Sequence, residues 1–183
     1  SHCTLEQIIP ELQKLVDTGA EVIPVFSERV KNTDTKFGPA RKWMDQVVEI
    51  TGKEPLSSIV EVEPFGPGRL LDILLVAPCT GNTIAKLANG IIDATVPMAC
   101  KAQLRNGRPV VLAIATNDGL GLNAINIGLL LNARDLFFVP FGQDNPAKKK
   151  NSLVARMELI IPTLAAALEG EQLQPVLIEY RGI

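Results

Sequence analysis

Three short polar clusters follow apolar runs in this chain: FSER (Phe26 to Arg29), PCTGNT (Pro78 to Thr83) and ATNDGLGLN (Ala115 to Asn123). They gather hydroxyls, amides and one thiol where strands are expected to end. Short hydroxyls and exposed N–H groups at a helix start suit a phosphate monoester. The amides of Asn82 and Asn117 donate and accept at once, as the edge of a heterocycle or a carboxylate requires. Helix capping by Asn82 and Thr83 is the plainer use of the same residues, and the two uses are compatible.

Other chemistries fit less well. GNTIAKLANG does not carry the G-x-x-x-x-G-K-[ST] order of a Walker loop. GLGLNA (Gly119 to Ala124) matches G-x-G-x-x-A, but it comes late, and no acidic residue ends a following strand at the required distance. A glycine-containing loop is the simpler reading. Cys79 as a nucleophile would need a base, and the only histidine is His2; a small, half-buried thiol is favoured. Cys3, Cys79, Cys100 and His2 lack the paired spacing of a zinc site. Lys86, Lys101, Arg105 and Lys148 to Lys150 could serve a dicarboxylate, although most lysines sit in water.

The elements that must position these clusters alternate in type. Leu5, Ile8, Ile9, Leu12, Leu15 and Val16 recur at helical spacing up to Gly19, with Pro10 inside the run. EVIPVF (21–26) is β-branched and short, and a second helix carries Trp43, Val47 and Ile50 on one face. Pro55 to Gly68 reads as irregular. Leu70 to Ala77 is apolar on both faces, as buried parallel strands are, and Ile84, Leu87, Ala88 and Ile91 form the next helical stripe. A helix over ATVPMACKAQLRNG, the strand PVVLAIAT (109–116), a loop and helix, and the strand DLFFVPF follow. Leu153, Met157, Ile160, Ile161, Leu164 and Leu168 predict a long last helix, and QPVLIEY an edge strand. Such alternation predicts an open parallel sheet with helices on both faces. Sheets of this kind bind ligands at the carboxyl ends of their strands, where the three clusters converge on a small-molecule site.

Composition sets the frame. The 183 residues form one expected domain, 1–183, with 46% hydrophobic and 21% charged residues, hence a packed core. A net charge of −2 and a pI near 5.5 offer no general attraction to nucleic acid or to an anionic membrane. No apolar run reaches bilayer-spanning length. Three scattered cysteines and no visible signal peptide point to a reducing cytoplasm.

The run APCTGNTIAKLANGIIDA resembles the Pro-x-x-x-Asn-Thr motif of the homo-oligomeric flavin-containing cysteine decarboxylase family. SHCT, ATNDGLGLNAIN, FFVPFGQDNP and LQPVLIEYR extend the resemblance along the chain. It implies a three-layer flavodoxin-like (Rossmann-type) α/β fold and FMN held near a subunit interface, usually in trimers or dodecamers. Carried over by position, it places the first phosphate turn on Ser1 and His2 and a second hydroxyl on Ser27. The motif loop is Pro78, Cys79, Thr80, Gly81, Asn82 and Thr83, and a second ligand-side loop is Ile114, Ala115, Thr116 and Asn117. Asn82 and Asn117 are the catalytic candidates.

Departures from the family shape the expected function. Its decarboxylases use a histidine after the second strand, and no histidine lies between Ser27 and Gly68, which argues against decarboxylation by that route. Ala-Met-Asn has become Ala-Thr-Asn at 115–117. Relatives carry a strand ending in glycine before the position of Ser1, so a first strand is expected upstream. What the resemblance implies as activity is a two-electron oxidation of a small dicarboxylate, with NADPH on a nicotinamide-dependent partner. A non-catalytic scaffold for that partner is the alternative, and a flavin-dependent decarboxylase or prenyltransferase-like enzyme is the third.

Overall fold

A computed structural model describes residues 4–35 and 38–180. Helices α1 (Leu5–Asp17), α2 (Glu28–Asn32), α3 (Ala40–Thr51), α4 (Ile59–Val62) and α5 (Phe65–Gly68) come first. Then β1 (Leu74–Cys79), α6 (Gly81–Ala88), α7 (Thr95–Arg105), β2 (Val110–Thr116) and α8 (Asn123–Leu131) alternate. The chain ends in β3 (Leu136–Phe138), β4 (Phe141–Asn145), β5 (Lys149–Ala155), a 3-10 turn (Met157–Leu159) and α9 (Ile160–Leu168).

β2 is the axis of the sheet, and all seven of its residues are buried. β-Branched and small side chains suit a strand packed on both faces, which is why VVLAIAT carries no alternation. β1 and β3 flank β2 in parallel, and β5 pairs with its last residues in antiparallel sense, Ala115 with Val154 and Thr116 with Leu153. β4 closes a hairpin on β5. The main core joins Val76, Leu112, Ile114, Phe138 and Phe141 to Ile84 of α6, Cys100 of α7 and Ile160 of α9. A smaller cluster of Val62, Phe65, Ala99 and Ala102 seats α4 and α5 on α7.

Four expectations change. The sheet is mixed rather than wholly parallel, because β5 returns against the end of β2. Leu153 therefore lies in a strand, and the last helix starts only at Ile160. Pro55 to Gly68 is not irregular throughout: Ser58 and Glu61 form a reciprocal capping box that starts α4. EVIPVF contributes one bridge, Val25 to Leu56, outside the main sheet.

The segment after α9 seals one flank of the sheet. The Gln172 side chain accepts from Phe138 N–H at 2.7 Å and donates to the Phe138 carbonyl at 2.7 Å, as a neighbouring strand would. Farther on, Phe141 N–H donates to the Val176 carbonyl and Ile178 N–H to the Phe141 carbonyl. Gly142 permits that approach, since a Cβ there would stand 2.5 Å from the Ile178 oxygen. Replacing Gln172 with alanine leaves both main-chain groups of Phe138 without these partners. The expected cost is about 1–3 kcal/mol, read as a lower urea midpoint with an unchanged slope.

Candidate functional site

β1 ends on Cys79, whose side chain turns into the core with no exposure. Burial, and then the neighbouring Cys100, push its thiol well above the ordinary range; burial pushes Cys100 up to about 12. A thiol held protonated in the core is no nucleophile. Cys79 instead anchors the strand end, and the next residue, Thr80, starts α6.

Thr80 occupies the N-cap position of α6 but makes no capping hydrogen bond with its side chain. Its hydroxyl lies 3.3 Å from that of Thr83. The first turn of α6 thus presents amides without a side-chain cap, beside two hydroxyls that share one proton bridge. Across from it, Ser27 caps α2 by accepting from Val30 N–H at 3.3 Å. Its own hydroxyl proton is not needed for that bond.

These residues share a cavity of about 640 Å³, lined by Ser27, Pro78, Thr80, Asn82, Thr83 and Lys86 at its polar end. Its other walls are Val25, the edge of β1 and the start of α7. Arg29 also lines it. That residue stands two positions after Ser27 in FSER, so its placement at a strand end was the available signal. Lys86 donates to Asp93 at 2.6 Å, and the hydrogen bond holds the Asp93 carboxyl below its usual range.

The third cluster is placed differently. Ala115 and Thr116 are buried in β2 against β5 and do not line the cavity. The Thr116 hydroxyl accepts from Asp118 N–H at 3.2 Å. Asn117 is exposed, and its carbonyl oxygen lies 3.5 Å from the Ser152 hydroxyl. Gly81 joins the two tips, because the Cβ it lacks would lie 2.6 Å from Thr116 Oγ1 and 2.9 Å from Asn123 Nδ2. Beyond it, amides link Asp118 to Asn123, Asn126 and Asn89 in series. Ser1 and His2 lie outside the described residues.

The glycines of GLGLNA have a packing explanation. The Cβ missing from Gly119 would meet Leu153 at 2.7 Å, and that of Gly121 would meet the Asp118 carboxylate at 2.0 Å. A carboxylate folded over this loop is the wrong charge for a pyrophosphate, so the dinucleotide reading does not fit. Among the described residues, no group of three His, Cys, Asp or Glu is arranged to hold a metal ion. No helix there is long and apolar enough to cross a membrane. Of the candidate cations, Lys86 lines the cavity, whereas Lys101, Arg105 and Lys148 to Lys150 do not.

A flavodoxin-like α/β sheet with a polar site at its strand ends defines the class, and residues 3–151 match the family model described as Flavoprotein. The chain belongs to that family. Along its whole length it is similar to the B subunit of dipicolinate synthase from Bacillus subtilis (strain 168), with 50% identity over 183 residues, 100% of this chain and 92% of that protein. The crystal structure of the dipicolinate synthase B subunit from Bacillus halodurans C superposes with a TM-score of 0.90 at 51% identity, over 98% of this chain and 92% of that one. The FMN-dependent cysteine decarboxylase SpaF shares the fold alone, with a TM-score of 0.62 at 18% identity over 91% and 89% of the two chains.

Proposed function

We propose that this chain is the flavin-binding component of a dipicolinate synthase, working with the synthase's A subunit, which holds NADPH. The reaction is the two-electron oxidation of a dihydro- or hydroxytetrahydro-dipicolinate to dipicolinate, in the cytoplasm of the mother cell during sporulation. The observation that carries the reading is the single cavity that gathers Ser27, Thr80, Asn82 and Thr83 at the carboxyl end of β1. Its donor set fits FMN: hydroxyls and uncapped helix amides suit the phosphate, and the Asn82 amide suits the ring edge. When bound, the flavin supplies the hydride acceptor. Asn82 orients the substrate from within the cavity, which Asn117 does not line.

The apolar half of the cavity belongs to the same reading. Among the described residues β1 is paired on one side only, with β2. Its other edge and Val25 both line the cavity. A further strand would fit along that edge. Self-association is supported by α8, whose neighbourhood exposes Leu122 (85%), Ile125 (71%) and Leu129 (54%) along one helical stripe. A trimer or dodecamer built on that stripe is part of the proposal.

The scaffold alternative draws on one observation: the cavity's named polar residues include no histidine, and the chain has one histidine in all. The test is the visible absorption spectrum after adding FMN and desalting. A retained flavin spectrum, lost or at least tenfold weakened in affinity in N82A, supports the cofactor site. A colourless native protein that still activates the nicotinamide-dependent partner supports the scaffold.

A further inference from the structure

One residue that lines the cavity, Lys86, gives its ammonium to an exposed carboxylate, Asp93. Lys86 lies in the last turn of α6, with its side chain 24% exposed, while the side chain of its partner Asp93 is 62% exposed. An ion pair with one member in water contributes little to stability. Lys86 also lines the cavity beside Ser27, Thr80 and Thr83, whose hydroxyls are hydrogen-bond donors to an anion. As it stands, the Lys86 ammonium is turned to Asp93, beyond the end of α6, so serving the cavity requires a change of side-chain rotamer.

Resting on the flavin reading above, we infer that Lys86 is the cation that selects an oxyanion in this cavity, with Asp93 as the counter-ion it leaves. The oxyanion is the phosphate of the flavin or a carboxylate of the substrate. Both are charge-assisted acceptors that a lysine ammonium serves as a point charge. Arg29 and Glu28 line the same cavity with opposite charges, so Lys86 supplies its remaining positive charge. Asp93 competes for the same ammonium, and its removal frees it.

A tie between two helices and an oxyanion selector respond differently to mutation. K86Q and D93N both break the tie, so a structural role lowers ligand affinity in both or in neither. The selector predicts opposite signs. K86Q is expected to weaken the oxyanion ligand about tenfold, and D93N to tighten it several-fold. The probes are FMN against riboflavin, which differ by the phosphate, and dipicolinate against pyridine, which differ by the carboxylates. Dissociation constants come from flavin fluorescence quenching and calorimetry, with thermal midpoints of each variant alongside.

A changed FMN to riboflavin ratio assigns Lys86 to the phosphate, and a changed dipicolinate affinity assigns it to the substrate. Unchanged ratios in K86Q, or a D93N that weakens binding as K86Q does, overturn the inference. A native protein that binds no flavin at all overturns the flavin reading instead, and the dipicolinate arm then decides Lys86 by itself. Binding of none of the probes to the native protein overturns both.

Discussion

Above pH 9 the native protein is expected to lose stability more steeply with rising pH than a C79A/C100A variant. The cause is the pair of thiols in the core, both without solvent exposure. Below the ordinary thiol value of 9.0, folded and unfolded chains both keep these protons, and stability does not depend on them. Above it the unfolded chain releases two protons that the folded chain retains, because burial raises both folded values. The unfolded state then binds fewer protons, so stability falls as pH rises, by about 1.4 kcal/mol per thiol per pH unit. For Cys100 that loss continues until about pH 12. Total stabilities of single domains are about 5–15 kcal/mol, so a slope of this size is readily measured. Urea midpoints at each pH, wild type beside the double variant, give the slope difference. Equal slopes would remove the two thiols as its source and put them in contact with water.

Gly81→Ala is the second large effect. The added methyl would stand 2.6 Å from Thr116 Oγ1 and 2.9 Å from Asn123 Nδ2. Neither neighbour yields easily. The Thr116 side chain belongs to a buried residue and accepts from Asp118 N–H, and Asn123 is held by Asp118 and Asn126. Forcing them apart costs about 1–3 kcal/mol, the range for overpacked cores. In a G81A/T116A pair the hydroxyl in the way is gone, so the double variant is expected to be more stable than the two single losses sum to. Strict additivity in a double-mutant cycle would disprove the contact between the two tips.

That contact also marks how much of the site could be read from the residues. The cluster PCTGNT suggests a ligand edge by its hydroxyls and amide, and the structure gathers Ser27, Thr80, Asn82 and Thr83 around one cavity. Thr116 has the same side chain in the same kind of place, yet it packs inward. The difference is the β5 return, which pairs with Ala115 and Thr116 and takes their side of the strand end. Leu153 shows why that return was hidden: its spacing to Met157, Ile160 and Leu164 continues a helical stripe without a break. Tertiary pairing with β2 overrides the period. Gly142 and Gly119 could be read only as turn residues, because what fills their missing side chains, Ile178 and Leu153, is distant in sequence or assigned to another element. The strand VVLAIAT and the helix bearing Trp43 and Val47 were legible because length, pattern and flanking Gly agree.

The seal made by Gln172 on Phe138, and by Val176 and Ile178 on Phe141, has a further consequence. It makes the sheet a template with a terminator on one flank. On the other flank, among the described residues, β1 offers its main-chain groups to a newcomer. The two flanks therefore differ in what they can still pair with. A strand hydrogen-bonded to that free edge would lie on the side of Thr80 and Ser27, as a wall of the cavity.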